Sequence, residues 1–171
     1  GSFTGLRIGS ATAKGLGLAL RKPLVEVPTL EGLAWNLCGT DRLVCPLMDA
    51  RRNQVYGAAY EFVPEREGFR LQTVIPQSPA DIGEMMERIN QKNRPVFFLG
   101  DGVPVYHRAI CEQCRVPFAV APAGNNRQRA ASVAALGAVY FAAGNTVTAG
   151  EHRPEYLRKS QAERESGKDA D

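Results

Sequence analysis

Apolar positions along the chain fall into two rhythms, and the rhythms lay out the elements. From residue 43 the strand rhythm leads. Residues 43–49, 55–63 and 69–75 are short apolar or alternating runs, and the stretches between them, Ala50-Arg51-Arg52-Asn53 and Pro64-Glu65-Arg66-Glu67-Gly68, are turn formers. A helical rhythm follows, with Ile82, Met85, Met86 and Ile89 on one stripe. Ser78 is its expected N-cap, Pro79 suits the first helical position, and Asp81 stands three residues after the cap. Residues 96–99 read as a strand, Gly100-Asp101-Gly102 as a turn, 103–114 as a helix and 118–121 as a strand. After a polar loop at 123–129, residues 131–143 form a helix apolar on nearly every side, which predicts that it is buried.

Ahead of these elements, residues 1–20 read as one helix with Ser2 or Thr4 as its cap. Lys22-Pro23 ends it, and residues 24–27 form a short strand. Pro28-Thr29 opens a second helix with Leu30, Leu33, Ala34 and Leu37 on one face and Gly39 just beyond its end. At the other end, residues 151–158 read as an ordered return segment. Residues 159–171 mix both charges without large apolar side chains and are expected to be disordered.

The order from residue 43 is three strands, then helix, strand, helix, strand, helix. Strands joined by short turns run antiparallel, and the alternation that follows requires right-handed crossovers between parallel strands. This is the pattern of an α/β, ribonuclease-H-like (actin-like) fold, which occurs in two-lobed proteins. The expected division is residues 1–42 as the remainder of an N-terminal lobe, 43–150 as a C-terminal lobe ordered βββαβαβα, and 151–171 as return segment and tail. Residues 1–42 are too few to close a core of their own, so the first lobe reads as incomplete.

Composition narrows the class. With 44% hydrophobic and 23% charged residues in 171, the chain can bury a core. Its formal charge of +3 is too mild to argue for nucleic acid by itself. No apolar run approaches a membrane span, and nothing at the start resembles a signal peptide. Cys38, Cys45, Cys111 and Cys114 are too few for a disulfide framework at this length, which predicts a reduced, cytoplasmic protein with no membrane partner.

The first helix carries the clearest interaction signal. Gly5, Gly9, Ala13 and Gly17 recur every four residues and stack into one bare stripe. Each glycine costs a helix about 1 kcal/mol against alanine, a cost that close backbone approach offsets. The neighbour is either the chain's own sheet or a helix of another chain. Arg7, Ser10 and Lys14 flank the stripe as a polar rim, so the expected partner-binding set is Gly5, Arg7, Gly9, Ser10, Ala13, Lys14 and Gly17.

Candidate chemistry is sparse. Asp49 and Asp101 at strand ends, with Glu84 and Glu87 on the helix between, are placed where nuclease carboxylates hold two ions about 3.5–4 Å apart. The preferred reading is that Asp49 anchors the turn into Arg51, the pair facing the cleft between lobes, and that Asp101 is a turn residue. Gly100-Asp101-Gly102 before a helix suits an anion, yet a strand-to-helix turn needs glycine for geometry alone. His107, Cys111 and Cys114 stand at helical spacing, but a structural zinc needs a fourth ligand, so packing is preferred. Cys45 lies in an apolar strand and reads as core. No Ser–His–Asp or Cys–His set can be assembled, and no serine stands in a Gly-x-Ser-x-Gly elbow. Arg51, Arg52, Arg127 and Arg129 lack interleaved aromatic residues and read as solvated loop charges. The expectation is therefore no catalytic residue, no metal and no cofactor.

GSFTGLRIG-x-A-x-A-KGL at the start, KPLVEVPTLEGLA at 22–34, MDARRNQVY at 48–56, LGDG at 99–102 and PEYLR at 154–158 together resemble the TsaB (YeaZ) family. These are bacterial proteins of tRNA threonylcarbamoyladenosine biosynthesis. The family's signature follows a strand and begins Gly-Pro-Gly-Ser-Phe-Thr-Gly, whereas this sequence starts inside it, so the resemblance implies a chain without the usual N-terminal part. It further implies a non-catalytic subunit that binds and stabilises TsaD, with TsaE joining the pair. TsaD transfers the threonylcarbamoyl group onto adenosine 37 of tRNAs reading ANN codons, and TsaC makes the threonylcarbamoyl-adenylate. A homodimer is the other use of the glycine helix, and tRNA is met only through the complex. TsaD carries a His-x-x-x-His metal motif that has no counterpart among the two histidines here. The competing class is a divalent-metal nuclease or a nucleotide-dependent phosphotransferase of the same fold. The chain alone is expected to hydrolyse neither ATP nor a peptide.

Overall fold

The computed structural model describes residues 3–155. The chain divides into two compact units, one drawn from Gly1–Glu26 and Gly144–Asp171, the other Val27–Ala143. These boundaries differ from the expected 42/43 and 150/151. The helix at residues 29–34 belongs with the sheet, because Leu30, Leu33 and Ala34 are buried in one cluster with Val44, Ala58, Tyr60 and Leu99.

The larger unit is built on a five-stranded sheet. Its strands are β1 (Leu43–Arg51), β2 (Gln54–Glu65), β3 (Gly68–Asp81), β4 (Val96–Leu99) and β5 (Phe118–Val120). Their order across the sheet is β3-β2-β1-β4-β5. The pairs β3/β2 and β2/β1 are antiparallel, and β1/β4 and β4/β5 are parallel. This is the mixed ribonuclease-H-like sheet that the strand-and-helix order predicts.

Side chains of the central strands β1 and β4 alternate across it, and these strands are buried on both faces. Leu43, Cys45 and Leu47 of β1 join Val96 and Phe98 of β4 on one face. There they meet the stripe Ile82, Met85, Met86 and Ile89 of a helix at Ile82–Asn90 and Val103, Tyr106 and Ile110 of another at Gly102–Gln113. Val44 and Leu99 point to the opposite face, beneath the helix Thr29–Ala34, which tightens into a 3-10 turn at Trp35–Leu37. In chain order we label the helices α1 (Phe3–Leu20), α2 (Thr29–Ala34), α3 (Ile82–Asn90), α4 (Gly102–Gln113) and α5 (Ala130–Ala142). Burial pushes the Cys45 thiol up, with a smaller contribution from Cys114, consistent with a core role for this cysteine.

Two expectations are corrected in this unit. Ser78 does not cap α3. Strand β3 runs on to Asp81, pairing Gly57 with Ser78 and Tyr56 with Pro79, and Asp81 is the cap, its Oδ1 accepting from the Gly83 N–H at 2.8 Å. Pro79 is tolerated there because β3 lies at the edge of the sheet, where no second neighbour needs its missing N–H. Helix α5 is also not buried on all sides. Ser132 and Leu136 are covered and the Tyr140 hydroxyl donates to Glu31, while Val139 is 40% and Phe141 57% exposed.

In the other unit, Thr4 lies inside α1 and so is not its cap, and Ser2 falls outside the described residues. Residues 24–27 form no strand. Leu24 alone pairs with Val147, its N–H donating at 2.8 Å and its carbonyl accepting at 2.9 Å. The ladder stops toward the helix because the Lys22 N–H is already given to the Gly17 carbonyl at 3.0 Å. Residues 151–155 follow without a regular element, and the rest of the return segment and the tail lie outside the described residues. Among the described residues, no helix is long and apolar enough to cross a membrane.

Among the described glycines, Gly100, where the chain leaves β4, has the least room for a side chain. Its φ is +108°, and a Cβ there would stand 2.2 Å from the Leu47 carbonyl oxygen. Gly68 has a similar φ of +98° but open space around it. Gly100→Ala should cost about 2–5 kcal/mol, from left-handed strain plus overpacking. Gly68→Ala should cost about 1–2 kcal/mol from strain alone. Urea unfolding curves of the two variants check this, and equal losses would show that the approach to Leu47 is not a constraint.

Candidate functional site

The end of β1 gathers four of the polar residues that the sequence singles out, Asp49, Arg51, Arg52 and Asp101. Strands β1 and β2 join through Arg52-Asn53, closed by the pair Arg51↔Gln54. Arg51, Arg52 and Asn53 all have positive φ, at 60°, 55° and 60°. Positive φ at both central residues is the type I′ hairpin shape, whose twist matches the strands it joins. Asparagine tolerates this conformation, whereas each arginine pays about 1–2 kcal/mol for it, so hydrogen bonds around the turn must hold it.

Asp49 supplies the first of them. Its Oδ1 accepts the Arg51 N–H at 2.8 Å and the Tyr106 hydroxyl at 2.9 Å. The same hydroxyl lies 3.2 Å from the Gln54 carbonyl, so one phenol ties both strands of the hairpin. Asp101 accepts the Asp49 N–H at 3.2 Å. On the far side, Asn53 Nδ2 donates to Asp81 Oδ2 at 2.8 Å and the Ile82 N–H donates to the Asn53 carbonyl at 3.3 Å, pinning the turn to the start of α3. Tyr106 reaches the turn from a break in α4, where its φ of −106° and ψ of 15° leave the helical region. Burial pushes its phenol up, and the hydrogen bond and charge of Asp49 and the charge of Asp81 add to this, so it stays a donor.

This arrangement is a hydrogen-bonded turn. Asp49 and Asp101 spend lone pairs on N–H and O–H donors, while Glu84 and Glu87 are exposed, Glu87 lying 4.0 Å from Arg115. Among the described residues no three His, Cys, Asp or Glu side chains are grouped to hold a metal ion. The Gly100 N–H is taken by Asn126 Oδ1 at 2.7 Å, which favours the geometric role of that glycine. Arg51, Arg52, Arg127 and Arg129 are exposed. One packing expectation is corrected. Helix α4 buries Val103, Tyr106 and Ile110, which turns His107 and Cys111 to solvent, with Cys111 Sγ 3.8 Å from the imidazole. Cys114 is half-buried.

The glycine stripe of α1 divides along its length. Gly5, Arg7 and Gly9 are exposed, and a Cβ on Gly9 would have nothing within 4 Å. Ser10, Ala13 and Lys14 are half-buried and Gly17 is buried, its Cβ position lying 3.1 Å from Leu24 and 3.4 Å from Ala149. Ser10 Oγ lies 2.8 Å from His152 Nε2, and Lys14 Nζ donates to the His152 carbonyl at 3.3 Å. His152 Nδ1 in turn lies 2.6 Å from Glu26 Oε1. Sequence reasoning missed His152 and Glu26 because 142 positions separate Ser10 from His152 and no spacing rule links them.

Comparison with known proteins adds three findings. Residues 1–166 match the family model described as TsaD, tRNA N6-adenosine threonylcarbamoyltransferase. The chain is 34% identical over 163 residues to the tRNA threonylcarbamoyladenosine biosynthesis protein TsaB of Bacillus subtilis (strain 168), covering 95% of this chain and 68% of that protein. Among solved structures, it is similar to a Pseudomonas aeruginosa protein described as uncharacterized with similarity to peptidase YEAZ. The TM-score is 0.70 at 24% identity, over 92% of this chain and 69% of that one, a likeness of fold.

Tyr106→Phe should lose about 1–2 kcal/mol at neutral pH, and Asp49→Ala about 1–3 kcal/mol, since each leaves a partner unsatisfied. The double variant should lose less than the sum, and additivity within about 0.5 kcal/mol in urea unfolding would show that the two groups act separately. The sign with pH follows from Tyr106. Its folded pKa is raised above the ordinary 10.0, so its stabilisation is full below that value and lost as pH rises through the folded one. The gap between wild type and Tyr106→Phe should therefore shrink above about pH 10.

Proposed function

The chain belongs to the TsaB (YeaZ) family, and from this we propose that it acts in the biosynthesis of N6-threonylcarbamoyladenosine at position 37 of tRNAs reading ANN codons. Its role in that reading is a cytoplasmic subunit that is non-catalytic in threonylcarbamoyl transfer. It binds and stabilises TsaD, which transfers the threonylcarbamoyl group, and TsaE joins the pair. The tRNA is met only through the assembly. The observation that carries the reading is the 34% identity to Bacillus TsaB across 95% of the chain. The composition supports it. The two histidines, His107 and His152, do not form the His-x-x-x-His metal motif of TsaD within these 171 residues. In this reading Val27–Ala143 is the second lobe, and the unit from Gly1–Glu26 and Gly144–Asp171 belongs to the first.

The surface offered to TsaD is the N-terminal half of α1. Gly5 and Gly9 leave the backbone bare there, Arg7 supplies a charge at the rim, and Ile8 is 63% exposed. A bare glycine face admits a neighbouring helix closer than the usual 8–10 Å. Ser10, Ala13, Lys14 and Gly17 are turned toward their own unit, so the interface narrows to the exposed three.

Gly9→Leu tests the interface without disturbing the fold, since the added side chain meets open space. Expressed together with TsaD, the wild type should co-elute on size exclusion. Gly9→Leu should keep its melting temperature and bind TsaD at least tenfold more weakly, a loss of about 1.4 kcal/mol. Gly17→Leu should instead destabilise the protein, because its neighbours already stand at contact distance. Undiminished binding by folded Gly9→Leu would remove this face from the interface. Loss of self-association alone would assign it to a homodimer.

A further inference from the structure

Three residues of the unit drawn from Gly1–Glu26 and Gly144–Asp171 form a relay that the partner role does not use. Ser10 Oγ stands 2.8 Å from His152 Nε2, and His152 Nδ1 stands 2.6 Å from Glu26 Oε1. An ionised carboxylate only accepts, so Glu26 fixes the hydrogen on Nδ1 and leaves Nε2 as the acceptor. The Ser10 hydroxyl then donates to Nε2. This is the hydrogen-bond order of an activated serine, with a base on the hydroxyl and an acid holding the base in its tautomer. Glu26 Oε1 also accepts the Arg153 N–H at 3.3 Å. Lys14, one turn beyond Ser10 on the same face of α1, places its ammonium 3.3 Å from the His152 carbonyl. The His152 side chain is 18% exposed and Ser10 is half-buried, so the group is held in place without being sealed.

We propose that Ser10 is a nucleophile activated by His152 as general base, with Glu26 positioning the imidazole, and that it accepts acyl groups from activated donors such as aryl esters and acyl phosphates. The restriction to activated donors follows from the placement of Ser10. It lies in the middle of α1, so its own N–H is committed to the helix and cannot serve an oxyanion as the nucleophile's N–H does in serine hydrolases. The positive charge at hand is Lys14. An amide, with its poor leaving group, stays beyond such a site, and an ester with a good one does not.

In the acylation step Ser10 Oγ bonds to the acyl carbon as its proton passes to His152 Nε2. The bond to the leaving oxygen breaks, and the imidazolium returns that proton to the departing group. Water then attacks the acyl carbon, giving a proton to the same nitrogen. The carboxylic acid leaves, and Ser10 Oγ recovers its proton from His152. This activity is independent of TsaD binding, so its failure leaves the partner role untouched.

The test is incubation of the full chain with p-nitrophenyl acetate, followed by peptide mapping by mass spectrometry. Acetyl-Ser10 should form at least about 100-fold faster than adducts on other serines, the lower end of what a positioned base contributes. Ser10→Ala should abolish it. His152→Gln keeps a donor and an acceptor in place but removes the base, and should slow acylation about 100-fold with the melting temperature little changed. Glu26→Gln should lower the acylation rate and shift the low-field Nδ1–H proton resonance of His152. A fluorophosphonate, which requires an activated serine, decides independently of any variant, and phosphonylated Ser10 is expected. Reaction at Lys14 or other residues with Ser10 unmodified would overturn the proposal, as would acetylation of Ser10 undiminished in His152→Gln. The three residues would then be a structural tie between α1 and the segment after Gly144.

Discussion

The larger unit depends on one close approach, that of the turn after β4 to the end of β1. Gly100 sits where any side chain would collide with the Leu47 carbonyl. Gly102 is nearly as close, its Cβ position lying 3.0 Å from the same oxygen. With both positions bare, the backbone of the turn lies against β1, and Asp101 comes within reach of the Asp49 N–H. Helix α4 is launched from this point, and its break at Tyr106 returns a phenol to the Asp49 carboxylate. The strained hairpin at Arg51, Arg52 and Asn53 is therefore held by groups that exist only because two strands and a helix start are packed backbone to backbone.

That network also gives the carboxylates at nuclease-like positions a structural use. Asp49 accepts an amide and a phenol on one oxygen, Asp101 accepts an amide, and Asp81 accepts the Gly83 N–H at the α3 cap and the Asn53 amide. The fold is shared widely, while the chemistry depends on what each strand end does with its side chains.

Two surfaces stand apart from these cores. The N-terminal half of α1 carries an exposed Gly9 whose Cβ position would meet nothing within 4 Å, so internal packing does not offset its helical cost. Helix α5 is apolar on nearly every side yet covers only one stripe. Exposed small and apolar helix faces of this kind fit a subunit that works in an assembly. The Ser10–His152–Glu26 relay adds a feature of a different kind, a polar arrangement drawn from three distant parts of one unit.

Much of this was legible in the sequence, and the reasons are local. The stripe Ile82, Met85, Met86 and Ile89, the run Val96–Leu99 and the alternation of β1 are periodic, and periodicity reports directly which face is buried. The antiparallel and parallel halves of the sheet followed from connection lengths, which chain geometry limits. What the sequence could not decide was competition between equally good local partners. Ser78 and Asp81 are both acceptable caps, and pairing of β3 with β2 through Asp81 selected the second. Apolar character around α5 could not say which of its sides a neighbour would cover. Ser10, Glu26 and His152 carry no mutual signal in one dimension. Only the folding of the chain, which sets Val147 beside Leu24 and brings the following segment back to α1, places an imidazole between a hydroxyl and a carboxylate.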